Sequence, residues 1–142
     1  MAPDLYILKL DDEEYKNAPL QVRLLTDMIA HKAEQKFYCT CYHIVTDRCH
    51  EKYKGKSYKE WDKNEVLSIE GFNKEMEAQL QCYIALERVY KSVFDDLEER
   101  EQIIEKIATQ YSEIMLKKYG WRKENGNGYH THKTHKEWGN CI

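Results

Sequence analysis

Cysteine and histidine residues in the middle of this 142-residue chain have the types and spacing of metal ligands. Cys39 and His43 are four residues apart, so on a helix their side chains lie on one face, whereas Cys41 points elsewhere. Thiolate and imidazole are two of the ligands that Zn²⁺ prefers in proteins. The pair therefore has the composition of half of a tetrahedral zinc site.

A second cluster lies near the C-terminus, where three of the six histidines fall within six residues. In a strand, His130 and His132 share one face, and imidazole is the commonest metal-binding side chain. We predict a structural zinc site that holds this segment to the first long helix. Its four predicted ligands are Cys39, His43, His132 and His135, and the alternates are Cys41, Cys49, His50 and His130. The competing interpretation is that the cysteines pack as small hydrophobic side chains and the histidines lie in a solvated tail.

Aromatic and basic side chains occur together in two segments, and both are candidate contact surfaces. Tyr, Trp and Arg are the side chains that recur at protein interfaces. The predicted partner-binding residues are Tyr53, Lys54, Tyr58 and Trp61 in a lysine-rich segment, and Trp121, Arg122, Lys123, Tyr129 and Trp138 near the C-terminus. A protein is the expected partner, and self-association of the chain stays open.

The C-terminal segment also has the composition of a nucleic-acid-binding surface. From Lys117 to Lys136 six basic residues stand against Glu124 alone, and aromatic residues lie between them. Basic side chains contact phosphates, and aromatic rings stack on unpaired bases. Because the net charge of the whole chain is −3, nucleic-acid binding would depend on this segment.

The elements that must position these residues follow from the apolar spacing. Leu20, Leu24 and Met28 are four residues apart, and a second row of apolar residues runs beside them, which predicts a helix over 20–45. The polar, aperiodic stretch over 46–56 indicates a loop. Ser57, with a glutamate three residues later, has the pattern of a capping box that opens a short helix over 58–66.

Two longer helices follow in the prediction. Ser68 has the residue type of an N-cap, and the apolar residues after it predict a helix that reaches Phe94. Asp96 and Glu99 resemble a second capping box, and basic residues suit the other end of that helix, which is predicted over 96–119.

The predicted fold class is mainly α. It is an antiparallel helical bundle of three long helices plus a short one, because helices with apolar stripes and short connections bury those stripes against each other. We predict an N-terminal strand or arm over 1–19, the bundle over 20–120, and a His-rich C-terminal hairpin or tail over 121–142.

Composition excludes several functional classes. No run of about 18 apolar residues is present, so we expect no membrane-spanning helix. The N-terminus lacks the basic start of a signal peptide, and the five cysteines are an odd number. These features predict reduced thiols and an intracellular, cytoplasmic location. The motifs of EF-hands, phosphate-binding loops, dinucleotide-binding folds and α/β-hydrolases are missing.

A helical scaffold without a catalytic motif favours a non-enzymatic interaction module. We expect it to bind another macromolecule, with a regulatory or inhibitory effect, and to carry a structural zinc ion if the cysteine and histidine clusters meet. The first alternative is a nucleic-acid-binding protein that uses its basic and aromatic C-terminal segment. The second is a metal-dependent hydrolase, which needs a zinc ion with an open coordination position.

Overall fold

A computed structural model describes residues 10–119, and this part of the chain is mainly helical, as the sequence predicts. Its helices are α1 (Asp12–Asn17), α2 (Leu20–Lys52), α3 (Lys63–Val93) and α4 (Leu97–Lys118), with a 3-10 turn at Tyr58–Glu60. Residues 10–119 contain no strand. The strand predicted at Leu5–Leu10 lies, except for its last residue, outside the described residues, as does the predicted C-terminal hairpin over 121–142.

Helix α1 occupies part of the segment that was predicted as a strand or arm. Asp11 begins it with a capping box: its carboxylate accepts from the backbone N–H of Glu14 at 2.9 Å, and the Glu14 carboxylate accepts from the Asp11 N–H at 3.2 Å. The acidic residues thus lie at the positive end of the helix dipole. The Tyr15 hydroxyl donates to Asp27 at 2.7 Å and ties α1 to α2.

Helix α2 begins where the sequence predicts and continues seven residues beyond the predicted end at 45. The loop predicted over 46–56 is therefore wrong for residues 46–52. The polar spacing of this stretch conceals one fully buried residue, Cys49, which packs against Trp61 and Ile69. This tertiary contact stabilises about two more helical turns. The chain then turns at Gly55, whose φ is +80°.

The connection between α2 and α3 also differs from its prediction. The capping box of Ser57 and Glu60 forms, but it opens only the 3-10 turn and not a helix over 58–66. Trp61 then returns to extended backbone. Asp62 caps the next helix by accepting from the Asn64 N–H at 2.8 Å, so α3 begins five residues before the predicted N-cap at Ser68.

The three long helices pack as a bundle in which α2 contacts both of the others. Gln21 bonds to Tyr90 at one end of α2, and Cys49 lies next to Glu65 at the other, so α3 is antiparallel to α2. Helix α4 runs parallel to α2, because Leu97 packs near the start of α2 and Leu116 packs further along it, against Phe37 to Ile44. The order is therefore up-down-up.

Three apolar clusters follow one another along α2. The first contains side chains of all three long helices: Leu24, Leu25, Met28 and Ile29 with Tyr83, Tyr90, Leu97, Ile104 and Ile107. The second joins Phe37, Cys41 and Ile44 to Leu116 near the end of α4. The third contains only residues from α2, α3 and the connection between them. We call residues 45–69, which surround this third cluster, the hairpin tip.

Candidate aromatic cleft at the hairpin tip

Trp61 is the centre of the hairpin tip, and three rings surround it. The ring of Tyr53 stacks on the indole at 5.8 Å between centroids, and Tyr58 lies tilted against it at 4.9 Å. The imidazole of His50 meets it edge-on at 5.0 Å. Only 7% of Trp61 is exposed. Aromatic side chains bury large areas and have few rotatable bonds, so Trp61 is held in one position at the base of a surface site, the cleft floor.

Glu65 holds the hairpin closed on one side of that floor. Its carboxylate accepts hydrogen bonds from the Tyr53 hydroxyl at 2.5 Å and the Lys52 ammonium at 3.2 Å, and the Cys49 thiol lies 3.7 Å away. The Tyr53 hydrogen bond is the main cause that lowers the pKa of Glu65. Burial, followed by the charge of Glu65, raises the pKa of the Cys49 thiol. Cys49 is therefore held as a protonated thiol.

An open cleft of about 300 Å³ lies on the other side of Trp61. Its lining consists of Tyr58, Lys59, Trp61, Lys63, Val66 and Leu67. Two of these apolar side chains face solvent to an unusual degree: Leu67 is 63% exposed and Tyr58 is 50% exposed. An exposed leucine beside a packed tryptophan is a place where further apolar area can be buried.

Lysine and carboxylate side chains both lie around the cleft. Neither Lys59 nor Lys63 forms an ion pair with any residue in the described part of the chain. Glu60 accepts from the backbone N–H of Ser57, and Asp62 accepts from that of Asn64. A third carboxylate, Glu70, lies close enough to Tyr58 that its charge, after burial, raises the pKa of that hydroxyl. The cleft therefore has both basic and acidic neighbours.

The tip brings together most of the predicted loop contact residues. Tyr53, Tyr58 and Trp61 meet there, and Lys54 is exposed on the nearby turn without lining the cleft. The five predicted residues of the C-terminal group, Trp121, Arg122, Lys123, Tyr129 and Trp138, lie outside the described residues.

Sequence reasoning missed four residues that line the cleft, namely Lys59, Lys63, Val66 and Leu67. The position of Leu67 could have been predicted from the start of α3. Leu67 lies two residues before buried Ile69, so a helix that begins at Lys63 must turn it away from the core. That inference requires the Asp62 cap, which the prediction placed inside a shorter helix.

The predicted metal ligands that the structure describes do not form one cluster. Cys41 packs in the second apolar cluster, Cys49 in the third, His50 against Trp61 and His43 edge-on to Tyr42. Among residues 10–119, no group of three or more cysteine, histidine or acidic side chains is arranged to hold a metal ion. His130, His132 and His135 lie outside these residues, so the zinc quartet stays a prediction.

Cys39 differs from the expectation that all thiols are reduced. It is 4% exposed and takes part in a disulfide bond, whereas Cys41, Cys49 and Cys82 form no disulfide. Because zinc binds thiolate sulfur, Cys39 must be reduced before the predicted quartet can form.

The helices were compared with the requirements of a membrane span, and the chain was compared with known proteins. None of the helices within residues 10–119 has the length and apolar composition needed to cross a bilayer. Comparison of the chain with protein-family models, curated proteins and solved structures found no match.

Proposed function

We propose that this protein is a non-enzymatic helical interaction module that binds another protein through the cleft at the hairpin tip, with a regulatory or inhibitory effect. The observation that carries the proposal is the exposure of Leu67, at 63%, and Tyr58, at 50%, beside the buried ring of Trp61. Trp and Tyr dominate the binding energy of protein interfaces, where they sit in packed pockets surrounded by polar residues.

The rigidity of the cleft floor supports binding. Trp61 is held by ring contacts on several sides, and Glu65 closes the hairpin through Tyr53 and Lys52. A floor that is already ordered loses little conformational entropy when a partner arrives. The size of the cleft suits one or two apolar side chains of a partner segment.

The chemistry of the two reactive groups at the tip also favours binding over catalysis. Cys49 is fully buried, and its raised pKa disfavours the thiolate that a nucleophile needs. Glu65 has a lowered pKa and already accepts hydrogen bonds from Tyr53 and Lys52, so it is a poor general base. These groups hold the hairpin together.

The test compares two exposed apolar residues on different helices. Leu67→Ser removes the cleft's leucine, and Ile114→Ser changes a similarly exposed residue on α4, at 57%, that does not line the cleft. Each full-length protein is immobilised, and the proteins retained from cells that express it are identified and then reconstituted in purified form. We expect a direct partner whose affinity falls on the order of tenfold with Leu67→Ser and is unchanged with Ile114→Ser.

One result would contradict the assignment of the cleft as the contact surface. If every purified partner binds the wild type and the Leu67→Ser variant equally, the cleft is not the contact surface. A circular-dichroism melt of both variants checks that the fold is intact, since exposed substitutions change stability by only about 0.5 kcal/mol.

A further inference from the structure

From the charge on the cleft rim we infer that its occupant is an acidic peptide segment with an apolar anchor. This inference rests on the proposed function and specifies the partner's chemistry. The apolar anchor follows from the lining, in which Tyr58, Trp61, Val66 and Leu67 supply the surface between the two rim lysines.

The acidic character of the proposed peptide follows from the two lysines that line the cleft. Lys59 and Lys63 both line the cleft, and neither is paired with a carboxylate of the described residues. Glu60 and Asp62, which adjoin these lysines in the sequence, accept hydrogen bonds from backbone N–H groups, and the charge of Glu70 acts on Tyr58. A partner carboxylate would therefore meet two ammonium groups that have no ion pair with residues 10–119.

Charge also distinguishes a separate acidic partner from one segment of this chain that could occupy the cleft, residues 120–142. The segment over 120–142 contains Arg122, Lys123, Lys133 and Lys136 against Glu124 and Glu137, so it carries the same sign as the rim lysines. Like charges placed together oppose binding. The lysine rim therefore favours a separate acidic segment over this chain's own C-terminal residues.

The experiment uses the full chain and two synthetic peptide libraries of about 12 residues. Both libraries carry a central Leu-Trp or Leu-Phe anchor. One has aspartate and glutamate at its flanking positions and the other has lysine and arginine. Affinity is measured by fluorescence anisotropy at low and high salt. We expect the acidic library to contain peptides that bind more tightly than any basic peptide, and we expect their binding to weaken with salt.

Charge reversal at the rim supplies the second measurement. The double variant Lys59→Glu with Lys63→Glu should lower the affinity for acidic peptides on the order of tenfold, because two attractions become repulsions. The control variant, Lys106→Glu with Lys117→Glu, makes the same charge change on exposed residues of α4. It should leave the affinity close to the wild-type value.

The outcomes separate this inference from the proposed function. If acidic and basic peptides bind equally and Leu67→Ser abolishes both, the cleft binds apolar anchors and the acidic preference is wrong. If no peptide's binding depends on Leu67, both proposals fail.

Self-association that Leu67→Ser abolishes would identify a second copy of this chain as the occupant. Peptide binding that appears only after removal of residues 120–142 would identify that segment. Either result overturns the inference.

Discussion

At the scale of single residues, a hydrogen-bond network that joins three helices lies at the opposite end of the bundle from the cleft. Tyr90 is fully buried, and its hydroxyl donates to Asp96 while accepting from Gln21 at 2.9 Å. Arg100 donates to the same carboxylate at 2.7 Å. Asp96 is the N-cap residue of α4, as the sequence predicts, but its side chain makes no capping hydrogen bond. It bonds instead to residues of α2, α3 and α4.

Removal of the Tyr90 hydroxyl should therefore be costly. Tyr90→Phe leaves the ring in the core but takes a donor from the Asp96 carboxylate and an acceptor from Gln21. Hydrogen bonds to charged groups contribute about 1.5–3 kcal/mol, so we expect the free energy of unfolding to fall by that amount. Urea denaturation measures it. Tyr58→Phe, at a half-exposed tyrosine, should change it by less than about 0.5 kcal/mol.

The same network makes stability depend on pH. The Tyr90 hydrogen bond, followed by that from Arg100, lowers the pKa of Asp96 below its usual value of about 3.9. A carboxylate with a lowered pKa in the folded state stabilises the protein above the unfolded value. That contribution is lost as the pH falls through about 4 toward the folded pKa.

Asp96→Asn tests this dependence. The wild type should be more stable than the variant at neutral pH, and the difference should shrink as the pH falls below about 3.9 toward the lowered pKa of the folded state. Urea denaturation at neutral pH and at an acidic pH measures the difference. The control is Asp95→Asn at the exposed neighbouring residue, which should have little effect at either pH. A difference for Asp96→Asn that stays constant with pH would contradict the assignment.

At the scale of elements, the number of helices that pack together differs along the length of the bundle. Leu24 to Ile29 of α2 pack against both α3 and α4, whereas the cluster around Cys49 and Trp61 contains only residues of the helical hairpin. Fewer buried contacts per residue lower the free energy of local opening. We therefore expect the hairpin tip to open more readily than the part of α2 and α3 that packs against α4.

Hydrogen exchange of backbone amides should show this difference. We expect amides over 46–52 and 63–69 to exchange faster than those over 24–29 and 83–90, because opening the tip does not require α4 to separate. A peptide bound in the cleft should slow the exchange at the tip selectively. Equal protection along the whole of α2 would contradict the two-part description.

At the scale of the whole molecule, α4 completes the core while also presenting an exposed face. Ile107 is fully buried in the first cluster, whereas Ile114 on the same helix is 57% exposed. The pair allows one substitution to be compared in two environments.

Ile107→Ala should lower the free energy of unfolding by about 2–5 kcal/mol, since it removes buried methylene groups and leaves a cavity. Ile114→Ala should change it by less than about 0.5 kcal/mol. Thermal denaturation followed by circular dichroism measures both. Similar effects from the two substitutions would mean that α4 does not pack by the face described here.

Local sequence patterns predicted the parts of the fold that depend on local chemistry. Helix α4 was located to within one residue at each end, because its charges and apolar stripe agree. The start of α2 at Leu20 and the capping pattern of Ser57 were likewise predictable. The aromatic residues of the loop were recognised as contact residues from their types alone, and that functional role stays a prediction.

Tertiary structure decided the features that depend on distant residues. Helix α2 continues to Lys52 because Cys49 is buried against Trp61 and Ile69, which lie 12 and 20 positions further along the chain. The cleft exists because the same contact fixes Trp61 while Leu67 is turned outward. Spacing along one helix can show which face is apolar. Only the packing of α2 against α3 determines which apolar side chains are covered and which remain open to a partner.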